Sequence, residues 1–189
     1  YPYPMGGYGG MFKAWSSKVA RQGIHKPYNS CGNGSAMRIA PVGWAFETER
    51  EVLAAAEVSA SCTHNHPEGI KGAQATALCI FLARQGHTAS DIRARIERDF
   101  GYDLSMSVKE LQRRYSWQGI DGKGDGGICQ DSVPQAIICA LQAKDFEDAI
   151  RNAISIGGDS DTIGCIAGGI AEALYGIPES IKERAWKYL

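Results

Sequence analysis

No stretch of this chain is long and apolar enough to cross a bilayer. The longest candidate, Ile163 to Leu174, falls well short of the roughly 20 residues a helical span requires and is full of small residues. Basic charge is not in excess: 20 Lys and Arg stand against 21 Asp and Glu, a formal charge of −1. No positive field therefore argues for nucleic acid. The six cysteines, at 31, 62, 79, 129, 139 and 165, include no CxxC pair, which removes the usual zinc and redox spacings. At 189 residues the chain can bury a real core without a disulfide framework. Reduced, largely buried thiols in a cytoplasmic protein are the expectation. Runs that alternate apolar and polar residues long enough for a sheet are missing too, as is any clear internal repeat.

What is present reads as helix almost throughout. Phe12, Trp15 and Val19 share a face over Met11 to Arg21. Thr48-Glu-Arg-Glu51 forms a capping box ahead of a run through Ser61, and Ser107-Val-Lys-Glu110 forms a second. Pro67 opens a long segment with Ala73, Ala77, Ile80 and Phe81 at helical spacing, closed by Gly86. Ile92, Ile96 and Phe100 mark another helix. Ser132 is the predicted N-cap for Val133 to Ala143, and Asp145 for Phe146 to Ile156. Pro178 opens the last helix, which is predicted to run through Trp186 to Leu189. The segment Gly119-Ile-Asp-Gly-Lys-Gly-Asp-Gly-Gly127 starts like an EF-hand loop, but its twelfth position would be Ser132, not Glu. It reads as a mobile surface loop or lid.

Three stretches concentrate chemistry. The first is Gly157-Gly158-Asp159-Ser160-Asp161-Thr162, directly before the apolar run Ile163 to Tyr175. Two carboxylates this close repel unless a cation or a proton lies between them, and hard oxygen ligands suit Mg²⁺, Mn²⁺ or Ca²⁺. One Asp would suffice for plain helix capping. The second is Asn29-Ser-Cys-Gly-Asn-Gly-Ser-Ala-Met-Arg38, where glycines alternate with short polar side chains. Such a loop can aim backbone N–H groups at phosphate or sugar oxygens, or be an ordinary Asn-Gly turn. The third is Thr63-His-Asn-His-Pro-Glu-Gly69. Its His-x-His pair lacks nearby third and fourth zinc ligands, so capping or a hydrogen bond to a ligand is the better use.

Together these stretches resemble the ADP-ribosylglycohydrolase family. The matching residues are Tyr8-Gly9, Ser30 through Arg38, Thr63-His64 through Gly69 with Gly72-Ala73, Val133-Pro134-Gln135-Ala136, and Gly157 through Thr162 with Ala167-Gly168, in family order. The resemblance implies an all-α fold, a compact multi-helix orthogonal bundle spanning 1–189 as one domain. It also implies hydrolysis of the glycosidic bond between ADP-ribose and a protein side chain or small acceptor. Two Mg²⁺ or Mn²⁺ ions would be the cofactors. By the resemblance, Asp159 and Asp161 are catalytic and, with Thr162, metal-binding. Ser30, Gly32, Asn33, Gly34, Ser35, His64 and Gly69 form the substrate-binding set. Asn33 and Ser30 would meet the diphosphate or distal ribose, Ser35 and nearby N–H groups would complete a cradle, and His64 would contact diphosphate or ribose. Arg38 would pair structurally.

Family members usually carry a further N-terminal segment with a Gly-Asp-x-x-Gly stretch, an acidic residue and a Thr-Asp-Asp-Thr motif that supplies half the metal ligands. No such motif stands in this sequence; Tyr1 matches a point just beyond it, and the first methionine is Met5. An N-terminally truncated chain is therefore expected, with a partial metal site and apolar surface prone to self-association. The partner expected is an ADP-ribosylated protein or small ADP-ribosyl substrate, with neither nucleic acid nor membrane. Two other uses of such a chain are a non-catalytic binder of ADP-ribose-like nucleotides and a purely structural helical protein.

Overall fold

The computed structural model describes residues 8–23 and 25–188. The sequence expectations for Tyr1, Met5 and Leu189 lie outside them. In chain order the elements are α1 (Gly10–Gln22), α2 (Gly34–Met37), α3 (Ala40–Ala45), α4 (Glu49–Ser61), α5 (Pro67–Arg84), α6 (Ala89–Phe100), α7 (Val108–Arg114), β1 (Tyr115–Ser116), β2 (Gly119–Ile120), α8 (Cys129–Leu141), α9 (Phe146–Ser155), α10 (Ser160–Tyr175) and α11 (Glu179–Ala185). The all-α class is what the chain adopts. The one sheet among the described residues is the two-residue pairing of β1 with β2.

Helix α5 is the axle. Every residue from Ala75 to Ala83 is buried, the pattern of a helix surrounded by others. Small residues set how closely its neighbours approach. A Cβ on Gly43 of α3 would come within 2.6 Å of Ile80, and one on Gly72 of α5 within 2.6 Å of the Cys129 sulfur on α8. α10 leans on α3 and α5 through Gly169 and on α9 through Gly168, where added Cβ atoms would meet Ala40 and Ile150 at 3.1 Å. Adding a methyl group at Gly43 or Gly72 forces the packed neighbours to shift in a close-packed interior.

The caps follow the sequence in part. Thr48 and Ser107 both close the expected capping boxes, and Thr88 with Asp91 makes a third. The cap expected at Ser132 is corrected. α8 begins a turn earlier, at Cys129, whose N–H donates to the Cys31 carbonyl at 2.9 Å. Ser132 lies inside the helix and donates its hydroxyl back to the Ile128 carbonyl at 2.7 Å. Pro134 lies inside α8, past its first turn, and removes one intrahelical hydrogen bond there.

The stretch 119–127 is a surface loop, exposed from Asp121 to Asp125, and it is tied at several points. Gly124 N–H donates to the Gln118 carbonyl and Gly126 N–H to that of Trp117, both at 2.7 Å. Arg114 makes a two-pronged ion pair with Asp121. Asp131 accepts from the Asp125 N–H at 2.9 Å. Carboxylate and backbone partners hold this glycine-rich run along its length. All six cysteines are free thiols, with Cys79, Cys129 and Cys139 buried. No described helix is long and apolar enough to cross a membrane.

Candidate active site

The site forms where the glycine loop before α2 meets the turn before α10. The loop lies against the start of α8. Asn33 N–H donates to the Gly127 carbonyl at 3.0 Å, and Gly32 bridges Ile128 antiparallel. Asn29 adopts φ 55°, a left-handed conformation that Asn tolerates, and its N–H donates to Asn65 Oδ1 at 2.8 Å. Gly69 lets α5 come up under the loop, because a Cβ there would stand 2.6 Å from the Ser30 carbonyl.

The buried Asn33 side chain reaches across to the α10 turn. Its Nδ2 donates to Asp159 Oδ2 at 2.7 Å and to the Gly126 carbonyl at 3.1 Å. Asp159 occupies the N-cap position of α10 but makes no capping hydrogen bond, so its carboxyl is free for the site. Gly157 and Gly158 both take left-handed φ, 74° and 68°, and lift Asp159 into place. The Tyr115 ring packs under that turn, where a Cβ on Gly158 would sit 2.5 Å from Cε1.

Asp159 and Asp161 lie close enough for each to shift the other. Burial, then the Asp161 carboxyl, raises Asp159 above the ordinary range. The hydrogen bond from Asp159 holds the exposed Asp161 below it. Two adjacent carboxylates repel unless a proton or a cation lies between them. Thr162 is buried, and its hydroxyl lies beside the Asp159 carboxylate and 3.9 Å from the Met37 thioether, a weak acceptor. Two carboxylates and a hydroxyl are a fitting hard-oxygen donor set for Mg²⁺ or Mn²⁺. They supply three side chains against the six or so oxygens each ion prefers. No cluster of three or more His, Cys, Asp or Glu residues suited to a metal occurs among the described residues.

His64 flanks the other side of the glycine loop. Built Cβ atoms on Gly34 and Gly32 would lie 3.2 and 3.5 Å from its Nε2. Thr63 Oγ1 lies 2.7 Å from its Nδ1 and accepts from Arg38 Nη2 at 3.0 Å. In the tautomer whose Nδ1 accepts the Thr63 proton, Nε2 carries the N–H and faces the loop. Burial, then the nearby Arg38 charge, pulls His64 down to about 4, so it is neutral at pH 7. Arg38 also donates to the Ser59 carbonyl at 2.8 Å and closes the end of α4.

Other expected site residues serve the framework. Ser35 is a correction to the cradle: it is fully buried and donates to the Gly69 carbonyl at 2.7 Å, so it pins α2 to α5. Ser30 accepts from the Gly32 N–H at 3.0 Å, which uses that N–H inside the loop. His66 accepts from the Glu68 N–H at 3.1 Å and caps α5. Sequence reasoning missed Tyr115, Asn65 and the Gly126 carbonyl. Their neighbours are remote in sequence, and no spacing rule signals them.

A family profile described as ADP-ribosylglycohydrolase matches residues 5–189. The chain is 31% identical to human ADP-ribosylhydrolase ARH3, over 84% of its own length and 55% of that protein's. It is 29% identical to ADP-ribosylarginine hydrolase Tri1 of Pseudomonas putida, over 89% and 46%. With the ADP-ribosyl-[dinitrogen reductase] glycohydrolase of Rhodospirillum rubrum the values are 28%, 81% and 50%. A solved ADP-ribosylglycohydrolase-related protein complex superposes with a TM-score of 0.69 at 27% identity, covering 90% of this chain and 61% of the other. The chain spans about half the length of the curated relatives it matches. On profile, identity and fold, it belongs to the ADP-ribosylglycohydrolase family.

Proposed function

We propose that this chain carries one face of an ADP-ribosyl hydrolase site, which cleaves the glycosidic bond between ADP-ribose and a protein side chain or small acceptor. The observation that carries the reading is the Asn33–Asp159 hydrogen bond, because it ties the glycine loop to the carboxylate pair. Asp159, Asp161 and Thr162 would hold divalent metal, Mg²⁺ or Mn²⁺, which when bound supplies positive charge and a water of lowered pKa. A complete two-ion site needs further oxygen ligands from outside this chain.

The chain's own residues do the rest. Asn33 holds Asp159 in one rotamer by donating to Oδ2 and keeps the loop's approach to α10 fixed. Neutral His64 offers its Nε2–H to a diphosphate or ribose oxygen without adding a full charge. Cleavage at the ribose C1 builds oxocarbenium character, and the Asp159–Asp161 pair places negative charge beside it. The location is proposed to be cytoplasmic, and self-association is proposed through apolar surface that a longer form would cover.

The test is release of ADP-ribose from an ADP-ribosylated protein, with and without Mn²⁺, by a form extended upstream and by its Asp161→Asn variant. Metal-dependent release lost in the variant is expected. Equal release by both removes Asp161 from the mechanism. A second reading, a non-catalytic ADP-ribose binder, draws on the three-ligand count. It predicts ADP-ribose affinity without turnover in any form.

A further inference from the structure

We infer that Trp117 and Asp125 form the subsite for the acceptor, the group from which ADP-ribose is released, and that they select a guanidinium acceptor over a hydroxyl one. The inference rests on the hydrolase reading of the site and adds the choice of acceptor to it. Strand β1 brings these residues beside the carboxylate pair. Side chains two apart leave a strand on one face, so Trp117 follows Tyr115, whose ring packs under the Gly158 turn. Gly126 fits against the hairpin only because it has no side chain. A Cβ built there would stand 3.1 Å from the Trp117 carbonyl oxygen and 3.3 Å from the Tyr115 hydroxyl. Its N–H donates to that same Trp117 carbonyl at 2.7 Å, and its own carbonyl accepts from Asn33 Nδ2, the group that also holds Asp159. One residue, Gly126, therefore separates Trp117 from the Asn33–Asp159 contact.

The subsite opens at Gly127. A Cβ built there would meet Asp125 Oδ1 at 3.2 Å and Trp117 Cζ2 at 3.9 Å, so a carboxylate and an indole flank one bare point of backbone. Both side chains are reachable from solvent: Asp125 is exposed and Trp117 is 53% exposed. Asp125 accepts the Gly127 N–H through Oδ1 at 2.9 Å, which leaves Oδ2 for a ligand. With the diphosphate proposed at His64, on the other side of the glycine loop, the hairpin side is left for the acceptor.

The chemistry of this pair selects the acceptor. An indole next to a carboxylate suits a flat cation, which lies against the aromatic surface and turns its N–H fork to the carboxylate. A guanidinium glycosylated on one nitrogen keeps its charge, so the attraction acts on the substrate itself. A serine-type hydroxyl has neither a charge for Asp125 nor a plane for the indole. The surrounding charge agrees. Among the described residues no ion pair includes Asp125, Asp131 or Lys123, and the nearby Arg114 is taken up by Asp121. Burial, then the carboxylates of Asp159, Asp131 and Asp125, raises the Tyr115 hydroxyl above its ordinary range, so three carboxylates bear on one ring beside the subsite.

The test is calorimetry on this chain with three ligands: ADP-ribose, a peptide ADP-ribosylated on arginine, and the same peptide with serine as the modified residue. Metal is left out so that the linkages survive the titration. The arginine-linked peptide should bind about tenfold more tightly than the serine-linked one, the combined worth of a cation–π contact and an exposed ion pair. Trp117→Ala and Asp125→Asn should each lower that ratio about threefold, and Trp117→Phe should keep most of it. Because the readout is a ratio of two ligands on one variant, with ADP-ribose as the reference that carries no acceptor, general damage to the fold does not produce it. Binding of ADP-ribose with equal affinity for the two peptides, or a ratio unmoved in both variants, overturns the subsite and leaves the hydrolase reading standing. No binding of ADP-ribose overturns that reading and the subsite with it.

Discussion

Asn33 and Asp159 stand 126 positions apart in the chain and 2.7 Å apart in the fold. The contact joins the loop between Asn29 and α2 to the turn that starts α10. Because Asn33 Nδ2 also donates to the Gly126 carbonyl, one side chain holds three segments together. Asn33→Ala should leave an unpaired carbonyl and a less restrained Asp159, and weaken ADP-ribose binding by about 1–3 kcal/mol. Calorimetry with ADP-ribose measures it. Wild-type affinity would place the nucleotide away from this loop.

Divalent metal should raise the melting temperature, since a ligand that binds only the folded state stabilises it by mass action. The three oxygen-bearing side chains at 159, 161 and 162 imply a modest shift for this chain alone. Asp161 is the exposed member of the pair, so Asp161→Asn disturbs packing least. It should abolish the response to Mn²⁺ and leave the helical circular dichroism unchanged. A retained shift would remove Asp161 from the ligand set.

Much of this arrangement was legible in the sequence, and the limits are instructive. The caps at Thr48 and Ser107 could be read because a capping box is a local device whose partners lie three residues apart. Ser132 misled for the same reason: it is a good cap locally, but the Cys129 N–H finds its partner on Cys31, far away in sequence. Such tertiary partners override local preference. The β1–β2 hairpin was too short to show alternation. The glycine loop and the double Asp turn were visible as candidates, but composition left a phosphate cradle and an ordinary turn equally open for the loop. Ser35 looked like a ligand because small polar residues in glycine loops often are, and only its burial against Gly69 reveals a pin. Tyr115 carried no signal at all, since its role depends on a turn 43 residues downstream.

That role can be tested through neighbouring glycines. Gly157 and Gly158 both have left-handed φ, which costs an L-residue roughly 1–2 kcal/mol. A Cβ on Gly157 meets nothing within 4 Å, whereas one on Gly158 runs into the Tyr115 ring at 2.5 Å. Gly157→Ala should therefore lose only the backbone share of stability. Gly158→Ala should lose clearly more, and Tyr115→Leu should return part of the difference. Urea midpoints of the three variants and the double variant decide it. Equal losses at 157 and 158 would mean that the ring does not support the turn.

His64 gives a pH signature with a definite sign. Its folded pKa, about 4, lies below the usual 6.5 or so, so the unfolded chain takes up the proton first as pH falls. Stability is fully present above about 6.5 and declines as pH drops toward 4. Asp159, raised by burial and by Asp161, works in the opposite sense, so the difference between wild type and His64→Gln isolates the imidazole better than the raw slope. Denaturation at pH 7 and pH 5 should show wild type losing more than the variant. Parallel losses would mean that His64 is free to charge in the folded protein.

The last prediction concerns the share of the site this chain holds. Asp159, Asp161 and Thr162 offer three oxygen-bearing side chains, and two divalent ions together seek about twelve oxygens, with water able to fill some positions. An ion so loosely held exchanges readily and does little to fix the ribose hydroxyls against the attacking water. The 189-residue chain by itself should bind Mn²⁺ weakly and release ADP-ribose slowly or not at all. A longer form that supplies an acidic Thr-Asp-Asp-Thr-type segment, in cis or as an added peptide, should bind Mn²⁺ more tightly and release ADP-ribose from a modified protein in a metal-dependent way. Both forms are compared at equal free Mn²⁺, with metal affinity measured beside turnover, so that a folding defect is separated from a missing ligand. If the short chain turns over as fast as the extended one, the site does not divide between two segments, and every catalytic ligand lies within Tyr1 to Leu189.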